Sequence, residues 1–506
     1  MSDRKKILLY VREEYVDFYA AISRRLAAKY DFLYLTPTAK AQERVVQNIG
    51  PHVTSYCLES DWLKCDYIPT PDDIITMEGE IREPLFLTFF AELYSQQIFG
   101  RVYYKKERNK SFYEKLGYFY YTYIDSILQK EQPHCVLFEC FNAAFAIICY
   151  QLAVKYGIFC FALMPHYVGF YFAAGRPHNN PLFEYYYKNR SKIEPSVYIA
   201  AERFVKELNA VETFAPMYMD FYKPKMNAGI FPKIHRKYRN AFSRVSDICK
   251  YALCTREGIV NSFLPNPVQL LIDGHYARRR NRTYLMHILS RPAPQDKYFI
   301  YFVAMQPEVS TSAQAPFYAK QEYIIENVSI SMPAGYLLYV KEHPADVGRR
   351  GASFYGRFKY YPNIKIVEPS LSSKELVQRS EGVITIAGGI GFEALLLDHV
   401  KPVIMFGDAF YDSQKGIEKV TDFRRLPDLF REIASGRYDK QPLREEKIAM
   451  AAAYLHSVYE GRAGCVLKGF MEEENIASVA QSIDGFVELL DSSDASEYLR
   501  EYWWRR

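Results

Sequence analysis

The stretch Ile384-Thr385-Ile386-Ala387-Gly388-Gly389-Ile390-Gly391-Phe392-Glu393-Ala394-Leu395 decides the fold. An apolar run ends in a glycine turn, and the turn opens a segment with helical spacing, which is the strand-turn-helix step of a parallel α/β unit. Such a step is also an anion site. Glycine lets the backbone approach a phosphate, and the unpaired N–H groups and positive end of the helix dipole favour negative charge. Gly388, Gly389 and Gly391 are therefore candidate phosphate-binding positions, with Glu393 one turn in to accept hydrogen bonds from ribose hydroxyls. A glycine run alone equally suits a tight strand-to-helix turn with no ligand.

Outward from this turn the same alternation repeats. Strands are expected at Tyr298 to Ala304, Tyr336 to Lys341, Ile364 to Val367, Gly382 to Ile386 and Pro402 to Phe406. Helices are expected around Tyr318 to Ile330, from Leu371 and from Gly391, and Ser372 with Glu375 three residues later has the spacing of a capping box. Open parallel sheets hold ligands outside the carboxyl ends of their strands. In Lys341-Glu342-His343-Pro344, Lys341 offers a point charge to a diphosphate, and His343, fixed by Pro344, offers a donor to a phosphoryl oxygen. A histidine before proline is also an ordinary turn residue. Gln306, Glu308 and Thr311 follow the preceding strand and add polar groups at the same edge.

The first half shows strand-like runs at Ile7 to Val11, Phe32 to Leu35, Val136 to Phe138 and Ile158 to Ala162. Aromatic-rich helical stretches at Leu85 to Tyr104 and Phe112 to Leu128 lie between the second and third. This pattern predicts a Rossmann-like domain with a helical insertion. The 44 tyrosines suit carbohydrate stacking, and equally suit half-wet helix interfaces.

A chain of 506 residues exceeds the size of one growing core, so two domains with extra elements are expected. The N-terminus has no apolar signal core, and the most apolar segment, Ala143 to Ala162, is broken by Gln151, Lys155 and Gly157, short of the roughly 20 apolar residues of a membrane span. A cytoplasmic protein is expected. The nine cysteines fall in no paired motif, against a disulfide framework or a zinc site. The net charge of +5 is mild, but Lys223 to Arg291 is strongly basic and punctuated by proline, a connector that prefers an anionic neighbour. It lacks zinc-finger, ribonucleoprotein and helix-turn-helix signals, so a nucleic-acid partner is not expected. The expected division is 1–222, 223–292 (connector), 293–440 and 441–506 (helices).

The string Gln306-Pro307-Glu308 with Ser310-Thr311, Lys341-Glu342-His343-Pro344, Gly388-Gly389-Ile390-Gly391-Phe392-Glu393-Ala394, Lys401-Pro402-Val403 and Phe406-Gly407 resembles the capsule polysaccharide biosynthesis family, which includes bacterial Kdo transferases. Its glycine turn is also similar to that of UDP-N-acetylglucosamine 2-epimerase. The resemblance covers roughly Tyr298 to Tyr411. It implies a GT-B fold, two Rossmann-like domains facing a cleft, with His343 on the nucleotide phosphate and the loop ending in Glu393 around the nucleotide. Ala387 departs from the family, which commonly has Ser or Thr before the glycine, so a hydroxyl contact must come from Thr385, from elsewhere or not at all.

The expected activity is transfer of a sugar from a nucleotide-activated donor, CMP-Kdo-like or a nucleoside-diphosphate sugar, to a glycan or glycolipid acceptor. The alternative is a sugar-nucleotide epimerase. In a GT-B enzyme the acceptor domain supplies the group that activates the hydroxyl, and Glu139 at a strand end is the first candidate, with His166 in Met164-Pro165-His166-Tyr167 the second. Glu139 alternatively caps the helix near Asn142, and Glu13 and Asp17 stay open. No Asp-x-Asp cluster stands in a suitable loop, so no metal and no cofactor is expected. A lipid-linked acceptor gives the basic region 223–291 a use as a peripheral membrane contact at the inner face of the membrane.

Overall fold

The structure is a computed structural model that describes residues 4–99, 101–102, 109–211, 264–265, 277–306, 308–492 and 494–505. The chain divides into two compact units, one made of Met1–His178, Pro216–Leu271 and Val458–Arg506, the other of Asn179–Ala215 and Ile272–Ser457.

In the first unit the strands are β1 (Lys5–Tyr10), β2 (Tyr30–Thr36), β3 (Ser55–Cys57), β4 (Arg101–Val102), β5 (Cys135–Phe138), β6 (Phe159–His166), β7 (Gly169–Ala173) and β8 (Leu264–Pro265). Six of them form a sheet in the order β3-β2-β1-β5-β6-β7, while β4 and β8 pair separately. All neighbours in the large sheet are parallel except β6 and β7. Residues Ile7 to Tyr10 and Cys135 to Phe138 are all buried, as expected for a parallel sheet covered on both faces, and this is why these strands read as unbroken apolar runs.

The tail belongs to this unit. Phe470 stacks on Phe18 with ring centroids 4.1 Å apart, and Phe486, in the helix Glu473–Ser492, stacks on Phe172 of β7 at 3.6 Å and 5°. Gly169 is fixed by the same packing, because a Cβ there would lie 2.1 Å from the Tyr459 carbonyl oxygen.

The second unit holds β9 (Tyr298–Phe302), β10 (Leu337–Lys341), β11 (Ile364–Val367), β12 (Gly382–Thr385), β13 (Val403–Met405) and β14 (Ile417–Lys419). They form an all-parallel sheet in the order β11-β10-β9-β12-β13-β14. Three helices from outside the β9–β14 region join it: Pro181–Lys188, Pro195–Ala210 and Arg444–Ser457. The buried Lys374 donates to the carbonyl oxygens of Leu208, Asn209 and Val211 at 3.0, 2.6 and 2.5 Å, placing a cation where the helix Pro195–Ala210 leaves its last carbonyls unpaired. Phe183 packs on Phe410 with centroids 5.1 Å apart. Through these contacts residues 179–211 group with the second sheet, where the sequence reading kept the chain to 222 with the first. Residues 441–457 likewise group with the second sheet and 458–506 with the first. Most of the expected connector, residues 223–276 apart from Leu264 and Pro265, lies outside the described residues. The capping box is half formed, with Ser372 accepting from the Glu375 N–H at 3.3 Å.

In both units the first strand is central and the order runs away from it in opposite directions, which opens a crevice at its carboxyl end. In the first sheet that point lies between β1 and β5, in the second between β9 and β12. Among the described residues no helix is long and apolar enough to cross a membrane.

Phe486→Ala is expected to remove about 3–5 kcal/mol from the first unit, seen as a lower thermal midpoint with early proteolysis of the tail. An unchanged midpoint would mean that the tail adds nothing to this unit.

Candidate functional site

The carboxyl edge of the second sheet is organised by a buried ionic cluster just after β10. Glu342 and Asp346 have side chains 0% and 1% exposed, and both meet Arg350 Nη1, at 2.7 and 3.3 Å. Arg350 Nη2 donates to the Ala304 carbonyl oxygen at 2.8 Å and to Gln306 Oε1 at 3.0 Å. Glu342 also accepts from the Tyr355 hydroxyl, and burial raises its carboxyl, opposed by Arg350. Sequence reasoning missed Arg350, Asp346 and Tyr355. The spacing Glu342, Asp346, Arg350 was the available signal, since each is four residues from the next.

Around this cluster the expected site residues take different places. Gln306 is buried and built into the edge: its side chain donates to the Ala319 carbonyl oxygen at 2.6 Å and its N–H to Asp346 at 2.9 Å. Thr311 is fully buried, its hydroxyl 3.3 Å from the Glu308 carbonyl oxygen. These two side chains serve the scaffold of the edge. Glu308 is exposed and accepts from the Ser310 hydroxyl at 2.9 Å. Lys341 is buried and donates to the Pro369 carbonyl oxygen at 2.9 Å, and burial pushes its amine down to about 8. His343 is half-buried and caps the short turn Pro344–Asp346, its Nδ1 accepting from the Ala345 N–H at 3.2 Å. That bond leaves the proton of the neutral ring on Nε2. Desolvation lowers its basicity, opposed by Asp346.

The glycine turn is strapped from two sides. The Gly388 N–H donates to Thr385 Oγ1 at 3.1 Å, and the Tyr411 hydroxyl donates to the Gly388 carbonyl oxygen. Thr385, the candidate for a phosphate contact, thus accepts from the turn's own backbone. Gly389 is the N-cap of the seven-residue helix Ile390–Leu396, with φ −55° and ψ −23°, so it needs no left-handed freedom. Gly391 is required by close approach, since a Cβ there would lie 2.5 Å from the Tyr411 hydroxyl and 3.0 Å from its ring. Glu393 is buried at 4% exposure.

In the first unit the crevice between β1 and β5 carries an ion pair. Arg12 follows β1, Glu139 follows β5, and Arg12 Nη2 lies 2.5 Å from Glu139 Oε2. Burial raises the Glu139 carboxyl against the pull of Arg12. Glu139 does not cap the next helix. The Ala144 N–H, at the start of Ala144–Lys155, donates to Glu92 Oε1 at 2.8 Å instead. The loop between is held by His178, whose Nε2 accepts from the Phe141 N–H at 2.8 Å. His166 ends β6 against the rings of Tyr167 and Tyr171, and burial pushes it down to about 3. Glu13 meets Lys40 and Asp17 meets Arg44 in partly exposed pairs. Among the described residues no group of three or more His, Cys, Asp or Glu is placed to hold a metal ion.

Two Rossmann-like units in one α/β chain are the make-up of the GT-B class. The family model described as "Capsule polysaccharide biosynthesis protein" matches residues 281–430, a stretch that takes in both the His-Pro turn and the glycine turn. No curated protein matches the sequence. Solved structures with a likeness include the beta Kdo 2,7 transferase of Thermosulfurimonas dismutans KpsC, at 11% identity and a TM-score of 0.33 over 65% of this chain and 79% of that one. The beta Kdo 2,4 transferase of the same KpsC has 19% identity and a TM-score of 0.23 over 36% and 55%. UDP-GlcNAc 2-epimerase from Methanocaldococcus jannaschii has 12% identity and a TM-score of 0.24 over 89% and 98%.

Gly391→Ala is expected to lower stability by about 1–3 kcal/mol through overpacking against Tyr411. Tyr411→Ala in the same chain should recover part of that loss, and a double-mutant cycle of thermal midpoints measures the coupling. Strict additivity would contradict the contact.

Proposed function

We propose that the chain transfers a sugar from a nucleotide-activated donor, CMP-Kdo-like or a nucleoside-diphosphate sugar, to a glycan or lipid-linked acceptor in capsule or surface polysaccharide synthesis. The observation that carries this reading is His343. Its ring is fixed through Nδ1 by the Ala345 N–H, which aims a neutral donor, Nε2–H, from the edge that also bears Lys341, Glu308 and the turn Gly388-Gly389-Ile390-Gly391. In the reaction the acceptor oxygen bonds to the anomeric carbon as the bond from that carbon to the phosphate oxygen breaks. Lys341 then balances charge developing on the leaving phosphate, and the His343 Nε2–H donates a hydrogen bond to it. Glu139 takes the acceptor proton. Its raised carboxyl favours that role over His166, whose depressed basicity makes it a poor proton acceptor. Peripheral contact with an anionic membrane is supported by Arg279, Arg280 and Arg282, exposed on the helix Arg278–Ile288, with no ion-pair partner among the described residues.

A thermal-shift panel of CMP, UDP, GDP and dTDP tests the site. One nucleotide should stabilise the protein, and His343→Ala and Glu393→Ala should each abolish the shift; no shift with any nucleotide leaves the glycine turn as structure only. Affinity should weaken as pH rises through about 8, where Lys341 loses its charge, and a flat profile would remove Lys341 from the contact. Glu139→Gln should cut transfer by about 10²- to 10⁴-fold while nucleotide binding persists. A new sugar nucleotide formed from donor alone would instead indicate the epimerase.

A further inference from the structure

Phe317 is 81% exposed. A single exposed apolar side chain is ordinary on a protein surface, but this one stands on a braced loop. Phe317 is the middle residue of the turn Pro316–Tyr318, and every neighbour is held. The Tyr318 N–H donates to the Ala315 carbonyl oxygen at 3.0 Å, and the Tyr318 ring turns inward against Phe406, centroids 5.5 Å apart. Beyond the turn, the Ala319 carbonyl oxygen accepts from the buried Gln306 side chain at 2.6 Å. Before it, the Gln314 carbonyl oxygen accepts from the Asp408 N–H at 3.1 Å. Ala315 sits so close to Gly407 that a Cβ on that glycine would lie 2.7 Å from the Ala315 Cβ.

These contacts also fix where the ring stands. Gly407 donates its N–H to the Ile386 carbonyl oxygen at 2.8 Å, and Ile386 opens the glycine turn. Phe317 is therefore two residues from a residue seated on the strand end that hydrogen-bonds the turn. A braced loop holds a flat apolar face toward water at the edge where the phosphate groups of a nucleotide are proposed to lie. Every nucleobase has a π-face, and stacking on an aromatic ring needs no particular pattern of donors and acceptors.

We infer that Phe317 is the platform on which the base of the nucleotide donor stacks, an inference that rests on the donor site proposed above. It gives the loop 313–319 a binding role that Gln306 and Gly407 serve by holding it still.

The test compares nucleotide and pyrophosphate binding by calorimetry in the full chain and in Phe317→Ala. Because the side chain is exposed, the variant should keep the thermal midpoint of the unliganded protein. Nucleotide affinity should fall about ten- to one-hundred-fold, the range that loss of one base-aromatic stack gives, while pyrophosphate, which has no base, should bind both proteins alike. In Phe317→Trp the added indole emission should be quenched by the nucleotide and not by pyrophosphate. Unchanged nucleotide affinity in Phe317→Ala, or an equal loss for pyrophosphate, overturns the platform and leaves the donor site standing. Absence of nucleotide and pyrophosphate binding in the unaltered protein overturns both.

Discussion

The edge of the second sheet depends on the Arg350 guanidinium. Strand pairing between β9 and β10 stops at Phe302 and Lys341, and beyond it the two chain segments are tied by the Val303 N–H on the Lys341 carbonyl oxygen, the Gln306 N–H on Asp346 and, with four bonds, Arg350. Arg350 joins them, bonding Ala304 and Gln306 from one side and Glu342 and Asp346 from the other. Charges this deep are expensive to bury and add little net stability as a set. What they give is geometry: with two carboxylates and two acceptors of the other strand end in one planar fork, His343 and the 303–308 segment hold one relation to each other.

The two units share a topology and differ in what stands at the reversal of strand order. In the first, the N-terminus of Ala144–Lys155 has one of its donors taken by Glu92, a carboxylate of the same unit that burial pushes up to about 7. The crevice itself is bridged by Arg12 and Glu139. An anion entering there would displace one internal carboxylate and face another. In the second, the turn has glycines and the nearby ring nitrogen of His343 is held as a donor. The same topology thus carries a crevice occupied by its own charged side chains in one unit and a glycine turn beside a held ring donor in the other.

The central strands were legible because burial on both faces leaves a run of apolar residues. β3 and β14 were not, being three-residue edge strands, Ser-Tyr-Cys and Ile-Glu-Lys, with no such run. The helix start at Asn180-Pro181 carries its signal openly, since Asn180 accepts from the Phe183 N–H and proline follows it. Its allegiance to the second sheet does not, because that depends on Phe410, more than 220 positions from Phe183. At the site, the His-Pro turn and the glycine turn were readable from local spacing. The reason for Gly391 was not: it is a Tyr411 ring from another strand end. Gln306 and Thr311 looked like ligand groups because they are polar and follow a strand, yet a buried loop must satisfy its own backbone first.

The most direct test of the account is amide hydrogen exchange of the full chain with and without the stabilising nucleotide. Slower exchange at 386–393 together with 341–346, with little change at 139–144, is the predicted result. Protection confined to 139–144, or none in either stretch of the second unit, would contradict a donor site at the edge that Arg350 organises.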